Sequence, residues 1–438
     1  MQHNFLVAPK IFKIAPLWDV RLSLGNTGLD APLTAGIESD PSIQKNTNKK
    51  FVLLQILITM RQLPWMFLVH ALLLSSLFSS SLSTSTRSRG KKKVAKELNL
   101  CDAEVQNMPI FCYCDNKMVK NATDVKCTIQ GSISLSHPMW KYFSSQIYLH
   151  TLMFTVTKPD SLDYIPTQVL RQLRNLQKVS IQYAKIDELA EYAFANLSTI
   201  FEIDLSRNSI GKLRMHAFEN MRNLSIINLD DNRITEINRD TFLNLPSMKM
   251  LYLNRNNIST LHDKAFKHLT SLEELELASN QIKVITGDSF HGLRNLLRLD
   301  LHDNLIAMVG DRTFIEMPSL RELELDQNDI VYISEKALEG MRNLTKLRLS
   351  ENKLATLEPD FLAGTPSLHF LDLRANLLKT MTLDNIKPIV TNLYNSTSHF
   401  YLNGILLWGW YVRYFVLRSL INVYCTVELP IYITIYQT

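Results

Sequence analysis

The sequence predicts a curved α/β repeat solenoid, with 24-residue repeats and a parallel sheet lining its concave face. Three observations predict it. Asn208, Asn232, Asn256, Asn280, Asn304, Asn328, Asn352 and Asn376 recur at steps of 24 residues without drift. Apolar residues hold fixed offsets around each; in the coil of Asn232 they are Leu224, Ile227, Leu229, Ile234, Ile237, Phe242 and Leu245. Ten residues after each slot stands Phe194, Phe218, Phe242, Phe266, Phe290 or Phe314, with Leu338 and Leu362 in the last two coils. A period of this length marks stacked supersecondary units rather than separate domains, so the usual expectation of about three domains for such a length does not apply.

The pattern L-x-x-L-x-L-x-x-N-x-L-x-x-L is that of the leucine-rich repeat. Its L-x-L core specifies a short strand whose leucines point inward at period two, and strands of successive coils stack about 4.8 Å apart. The chain then turns sharply and leaves backbone groups without strand partners. An asparagine amide both donates and accepts, so it can satisfy those groups. The ladder is therefore structural. The phenylalanine row, in register at one ring per coil, reads as a packed spine on the convex side. Less regular coils precede the ladder, with Ala184 and Thr157 in the slot. About ten repeats are expected over residues 149–404.

A solenoid exposes apolar ends and needs caps. Cys101, Cys112, Cys114 and Cys127, spaced C-x10-C-x-C-x12-C, place a cysteine-rich N-terminal cap over residues 99–148. With no histidine among them and no zinc-ribbon spacing, they read as two disulfides. Ahead of the cap, Met60 opens a secretory signal peptide over 60–86: Arg61, an apolar run from Phe67 to Phe78, then small residues. Residues 1–59 read as an upstream extension, disordered or a gene-model artefact, with translation starting at Met60. The rival reading is a signal anchor over about 51–78, opposed by the following positive cluster. Residues 87–98, with Arg87, Arg89, Lys91, Lys92, Lys93 and Lys96, form a basic linker, read as a solvated spacer.

At the other end, "HFYLNG" from His399 is the strand of one more repeat, but Ile405 occupies the asparagine slot. Residues 405–438 read as an aberrant apolar tail without the expected C-terminal cap. Arg413 and Arg418 interrupt it as a membrane span, and it lacks the ordered elements of a lipid-anchor signal. Cys425 has no assigned role.

The net charge of +5 divides unevenly: +8 for residues 1–98, +1 for 405–438, and −4 for the repeat body between them. A mildly acidic body gives no nucleic-acid footprint. No catalytic motif appears, no cofactor or metal site is expected, and the chain does not read as an enzyme. His302, between Asp300 and Asp303, reads as a solvated surface residue.

Residues six, four and two before each asparagine face the concave side. The acids concentrate at Glu274, Glu276, Asp300, Glu322, Glu324 and Asp326, and three bases follow, Lys346, Arg348 and Arg374. Tyr252 joins Ile226 and Met250 in a small apolar patch. A solvated charged face is the plain reading. The sharper one is a protein interface whose acidic and basic blocks complement another copy in two-fold, antiparallel pairing. Sequons at Asn121, Asn196, Asn223, Asn257, Asn343 and Asn395 predict a glycoprotein, and none lies on those concave columns.

Residues 99–404 resemble the connectin family of cell-surface leucine-rich-repeat adhesion proteins. The resemblance rests on "CYCDNKMVKNATDVKC", "SQIYLHTLMFTV", "NNISTLHDKAFKHL", "LRLDLHDNLIAMVGDRTF", "ISEKALEGMRNL" and "DNIKPIVTNLYNSTSHFYLNG". It implies homophilic adhesion to another copy on an apposed cell, a role in motor-axon guidance and muscle target recognition, and a glycosylphosphatidylinositol anchor on the outer plasma-membrane face. The tail in this sequence does not itself support that anchor. The cysteine-rich flank of extracellular leucine-rich-repeat proteins implies the pairing Cys101–Cys114 and Cys112–Cys127. The competing function is a heterophilic receptor or a secreted immune or matrix recognition protein.

Overall fold

A computed structural model describes residues 98–102, 108–158, 161–379, 381, 384–385 and 399–401. The expected extension, signal peptide, most of the basic linker, Asn395, Ile405, Cys425 and the apolar tail lie outside the described residues. The described solenoid is built on one sheet of thirteen strands. It begins with an antiparallel hairpin, Ile110–Cys114 against Asp124–Ile129. Eleven coil strands follow in parallel, one per repeat, from Thr151–Val156 to His399–Tyr401.

Each three-residue coil strand buries its central residue and turns its flanking residues outward. Ile203, Ile227, Leu251, Leu275, Leu299, Leu323 and Leu371 are fully buried, and Leu347 nearly so. Register is constant, residue n opposite n+24, as in Glu274 against Arg298 against Glu322. The final strand keeps this register, with Phe370 opposite His399.

The asparagine amides close each coil. Asn280 shows the pattern. Its Nδ2 donates to the carbonyls of Leu253 at 3.0 Å, Leu277 at 2.9 Å and Ala278 at 3.1 Å, while its Oδ1 accepts from the Ile258 N–H at 3.0 Å. One side chain thus binds its own turn and the preceding coil. In the irregular coil, Thr157 Oγ1 donates to the Ile129 carbonyl at 3.0 Å, which supplies part of the same link. The residue before each ladder asparagine, from Arg207 to Ala375, is left-handed, with φ between 51° and 59°. None is a glycine, although this conformation costs an L-residue about 1–2 kcal/mol. The sequence carries no glycine signal for this turn because the amide bonds hold it instead.

The phenylalanines are fully buried on the far side of the coil. Phe194 stacks on Phe218 at 5.4 Å and Phe218 on Phe242 at 5.6 Å. The spine does not stop at Phe314: Phe361, one place earlier in its coil, is fully buried beside Leu362.

The hairpin closes the N-terminal end of the core. Cys101 is bonded to Cys114 and Cys112 to Cys127. Gln146, fully buried, ties the cap to the first coil by accepting from Ala122 N–H at 3.1 Å and donating to Asn99 Oδ1 at 2.9 Å. Trp140 packs edge-on to Phe154 and donates to Tyr164 at 3.0 Å. Burial pushes the Tyr164 phenol up to about 12.

Candidate functional site: the concave sheet

The strand geometry fixes what the concave face presents. Because Leu299 points into the core, Arg298 and Asp300 must point out of it, and the same holds for Glu322 with Glu324 and for Lys346 with Arg348. The register then sets Glu274, Arg298, Glu322, Lys346, Phe370 and His399 in one row. Glu276, Asp300, Glu324, Arg348, Asp372 and Tyr401 form the next.

Arg298 is the hub of the acidic block. Its Nη1 lies 2.9 Å from Glu274 and 3.2 Å from Glu276; its Nη2 lies 3.6 Å from both Asp300 and Glu324. Four carboxylates around one guanidinium leave this patch strongly negative. Lys346 Nζ adds bridges to Glu322 at 3.3 Å and Glu324 at 3.1 Å. Further along, Asp372 gives both oxygens to Arg374, at 2.9 Å to Nε and 2.6 Å to Nη2. Asp326 accepts from the Ser350 N–H and hydroxyl at 3.0 and 2.8 Å.

These contacts revise the expectation of a solvated face carrying free acidic and basic blocks. Asp300, Glu324 and Asp372 are buried, at 5%, 8% and 1% exposure. Two of the three expected bases are already neutralised within the chain, because register brings Lys346 beside the acids one strand away. Arg298, flanked in sequence by two leucines, was not among the expected interface residues, yet it organises the block. His302 is not a free surface histidine: its Nδ1 lies 2.8 Å from Asp300 Oδ1.

The protonation states follow. The Asp300 hydrogen bond holds His302 above its ordinary value, outweighing partial burial. Burial pushes Asp300 up, but the hydrogen bonds from His302 and the nearby Arg298 bring it below the ordinary aspartate value. Burial raises Glu276 and Asp326. Tyr252, half-buried with its hydroxyl 3.5 Å from Glu274, is pushed up to about 12 by burial and then by the Glu274 and Glu276 charges.

Both ends of the face are aromatic. At the C-terminal end, Phe370, His399 and Tyr401 cluster with ring centres 5.4–6.3 Å apart. Arg348 lies over Phe370 at 5.7 Å and Arg374 over Tyr401 at 5.2 Å. At the N-terminal end, Phe111 and Tyr113 are 54% and 65% exposed, opposite Thr128 and Lys126 in the hairpin. The alternation in "IFCYC" carried their outward direction, but the cysteines directed attention to the cap's interior.

Asn121, Asn196, Asn223, Asn257 and Asn343 are all exposed, and none lies on a concave column. A shallow depression of about 680 Å3 runs along the edge where strands begin, lined by Gln177, Phe201, Asn223, Ser225 and Lys249. A glycan on Asn223 would occupy it. Among the described residues no cluster of His, Cys, Asp or Glu is arranged to hold a metal ion, and no helix is long and apolar enough to cross a membrane.

Comparison with known proteins agrees with this architecture. Residues 174–234, 222–282, 271–330 and 325–378 match the leucine-rich-repeat family. The chain is similar to Connectin of Drosophila melanogaster, at 37% identity over 118 residues, which covers 26% of this chain and 17% of that protein. The matched part is thus about one sixth of Connectin's length. Among solved structures, that of the TLR13–ssRNA13 complex superposes with a TM-score of 0.56 at 22% identity, covering 65% of this chain and 40% of that one. That likeness is one of fold. The chain is therefore a leucine-rich-repeat protein of the connectin-like kind, and its disulfide-bonded cap suits an oxidising, extracytoplasmic compartment.

Proposed function

We propose that this chain is a cell-surface or secreted recognition protein that mediates homophilic adhesion, binding a second copy on an apposed cell through its concave sheet. The observation that carries this reading is the lengthwise division of that sheet. An acidic block centred on Arg298 gives way, within two strands, to a surface carrying Arg348, Arg374 and aromatic rings. Two copies related by a two-fold axis lay one copy's acids against the other's cations. Exposed sequons off the concave columns leave the face clear for a partner. The likeness to Connectin supports adhesion, and with it motor-axon guidance and muscle target recognition. Glycosylation at Asn121, Asn196, Asn223, Asn257, Asn343 and Asn395 belongs to the same proposal.

Fluorescent beads coated with the full chain test it directly. Beads should aggregate with one another, and less so as salt rises through the range where the Debye length falls from about 10 Å to 3 Å. The salt effect should be partial, since much of the face's charge is paired within each chain. Beads that stay dispersed but bind cells lacking this protein would instead establish the heterophilic reading.

A further inference from the structure

Among the cations of the concave columns, Arg348 stands apart. Arg298 has four carboxylates within 4 Å, Lys346 two, and Arg374 a bidentate pair with Asp372. Arg348 forms no ion pair with a described residue, and its Nε is buried without a hydrogen-bond partner. The register explains why. Its cross-strand neighbour is Asp372, and both oxygens of that carboxylate turn away to Arg374. Its other strand neighbour, Glu324, is taken by Lys346 and Arg298. The Arg348 guanidinium is instead laid over the Phe370 ring, 5.7 Å from its centre.

We infer that Arg348, on its floor of Phe370 and Tyr401, is the anchor of the interface between copies, and that it receives a carboxylate from the acidic block of a second copy, Glu322 foremost. This inference rests on the homophilic reading above. An arginine backed by aromatic rings has the composition of an interface hot spot, and it presents donors in a planar fork that fits a carboxylate. A guanidinium already satisfied within its own chain gains little from a partner, whereas an unsatisfied one gains the most. Glu322 is the reciprocal choice because its side chain is 42% exposed, against 22% for Glu274, 19% for Glu276, 11% for Glu324 and 7% for Asp300.

Self-association of the full chain is measured by sedimentation and by bead aggregation for the wild type, Arg348→Gln, Arg348→Lys, Glu322→Gln and Arg374→Gln. Arg348→Gln should weaken association at least tenfold, with circular dichroism and Tm unchanged. Arg348→Lys should restore only part of it, because an ammonium keeps the charge and loses the fork. Glu322→Gln, at an exposed site, should weaken it from the other side, and Arg374→Gln should do so less than Arg348→Gln. A wild type that associates while Arg348→Gln and Glu322→Gln do so equally well overturns this inference and leaves the homophilic reading standing. A wild type that does not associate overturns both.

Discussion

Asn280 and Arg298 sit on neighbouring coils, and both reach across the stack. Asn280 finds backbone partners that every coil repeats: the carbonyls of Leu253 and Leu277 and the N–H of Ile258. Arg298 finds side chains that no other coil repeats, four carboxylates belonging to three strands. The same 24-residue period thus produces an interior that is identical at each step and a face that differs at each step. The invariant part holds the coil together. The variable part is where a partner can be distinguished.

Breaking the interior should have the largest effects. Phe218 stacks between Phe194 and Phe242 and is fully buried, so Phe218→Ala should cost about 3–5 kcal/mol. Chemical denaturation monitored by circular dichroism reads this loss, and hydrogen exchange should place it in the adjoining coils first, because each repeat touches only its neighbours. Asn280→Ala should cost somewhat less, roughly 2–4 kcal/mol, by stranding the Ile258 N–H and two buried carbonyls. A loss under about 1 kcal/mol for Asn280→Ala would mean that water replaces the amide, and the ladder would no longer explain the left-handed residue at Ser279.

That interior was legible from sequence because it is periodic. The inward leucines, the asparagines and the phenylalanine row each follow from one repeated offset, and even the strand of His399 was visible as one more unit. The face was legible only as columns. Which residues point outward follows from the period of two, but which of them pair does not. Arg298 meets acids 24 and 22 residues before it and 26 after it. The choice of Asp372 for Arg374 over Arg348 depends on rotamers, which no periodicity encodes. The left-handed turn before each asparagine was hidden for a different reason: the residues there, such as Arg255 and Gln327, are not those a turn ordinarily selects.

Breaking the face should cost less stability. Arg298 is about a third exposed, so removing it exposes the repulsion of its four carboxylates only in part. Arg298→Met should cost about 1–2 kcal/mol near neutral pH, below the usual figure for a fully buried pair. The loss should shrink as pH falls and the carboxylates protonate. A penalty that does not change between acid and neutral pH would show that Arg298 contributes packing rather than charge.

The smallest effect sharpens the comparison most finely, because it reports one bond on the face. His302 is held above its ordinary value of 6.5 by the hydrogen bond to Asp300, with the Glu324 and Asp303 charges acting in the same direction. A histidine whose folded value is raised contributes stability that is complete below the unfolded value and lost as pH rises through the folded one. Asp300 is lowered, so its contribution is present above the unfolded aspartate value and lost as pH falls through the folded one. The pair therefore contributes most in the mildly acidic interval between the carboxylate range and 6.5. A proton NMR titration of the imidazole should give a midpoint above 6.5, and Asp300→Asn should bring it back towards or below that value. A wild-type midpoint at or under 6.5 would show that partial burial outweighs the carboxylate, and that this part of the face is no more specialised than ordinary surface.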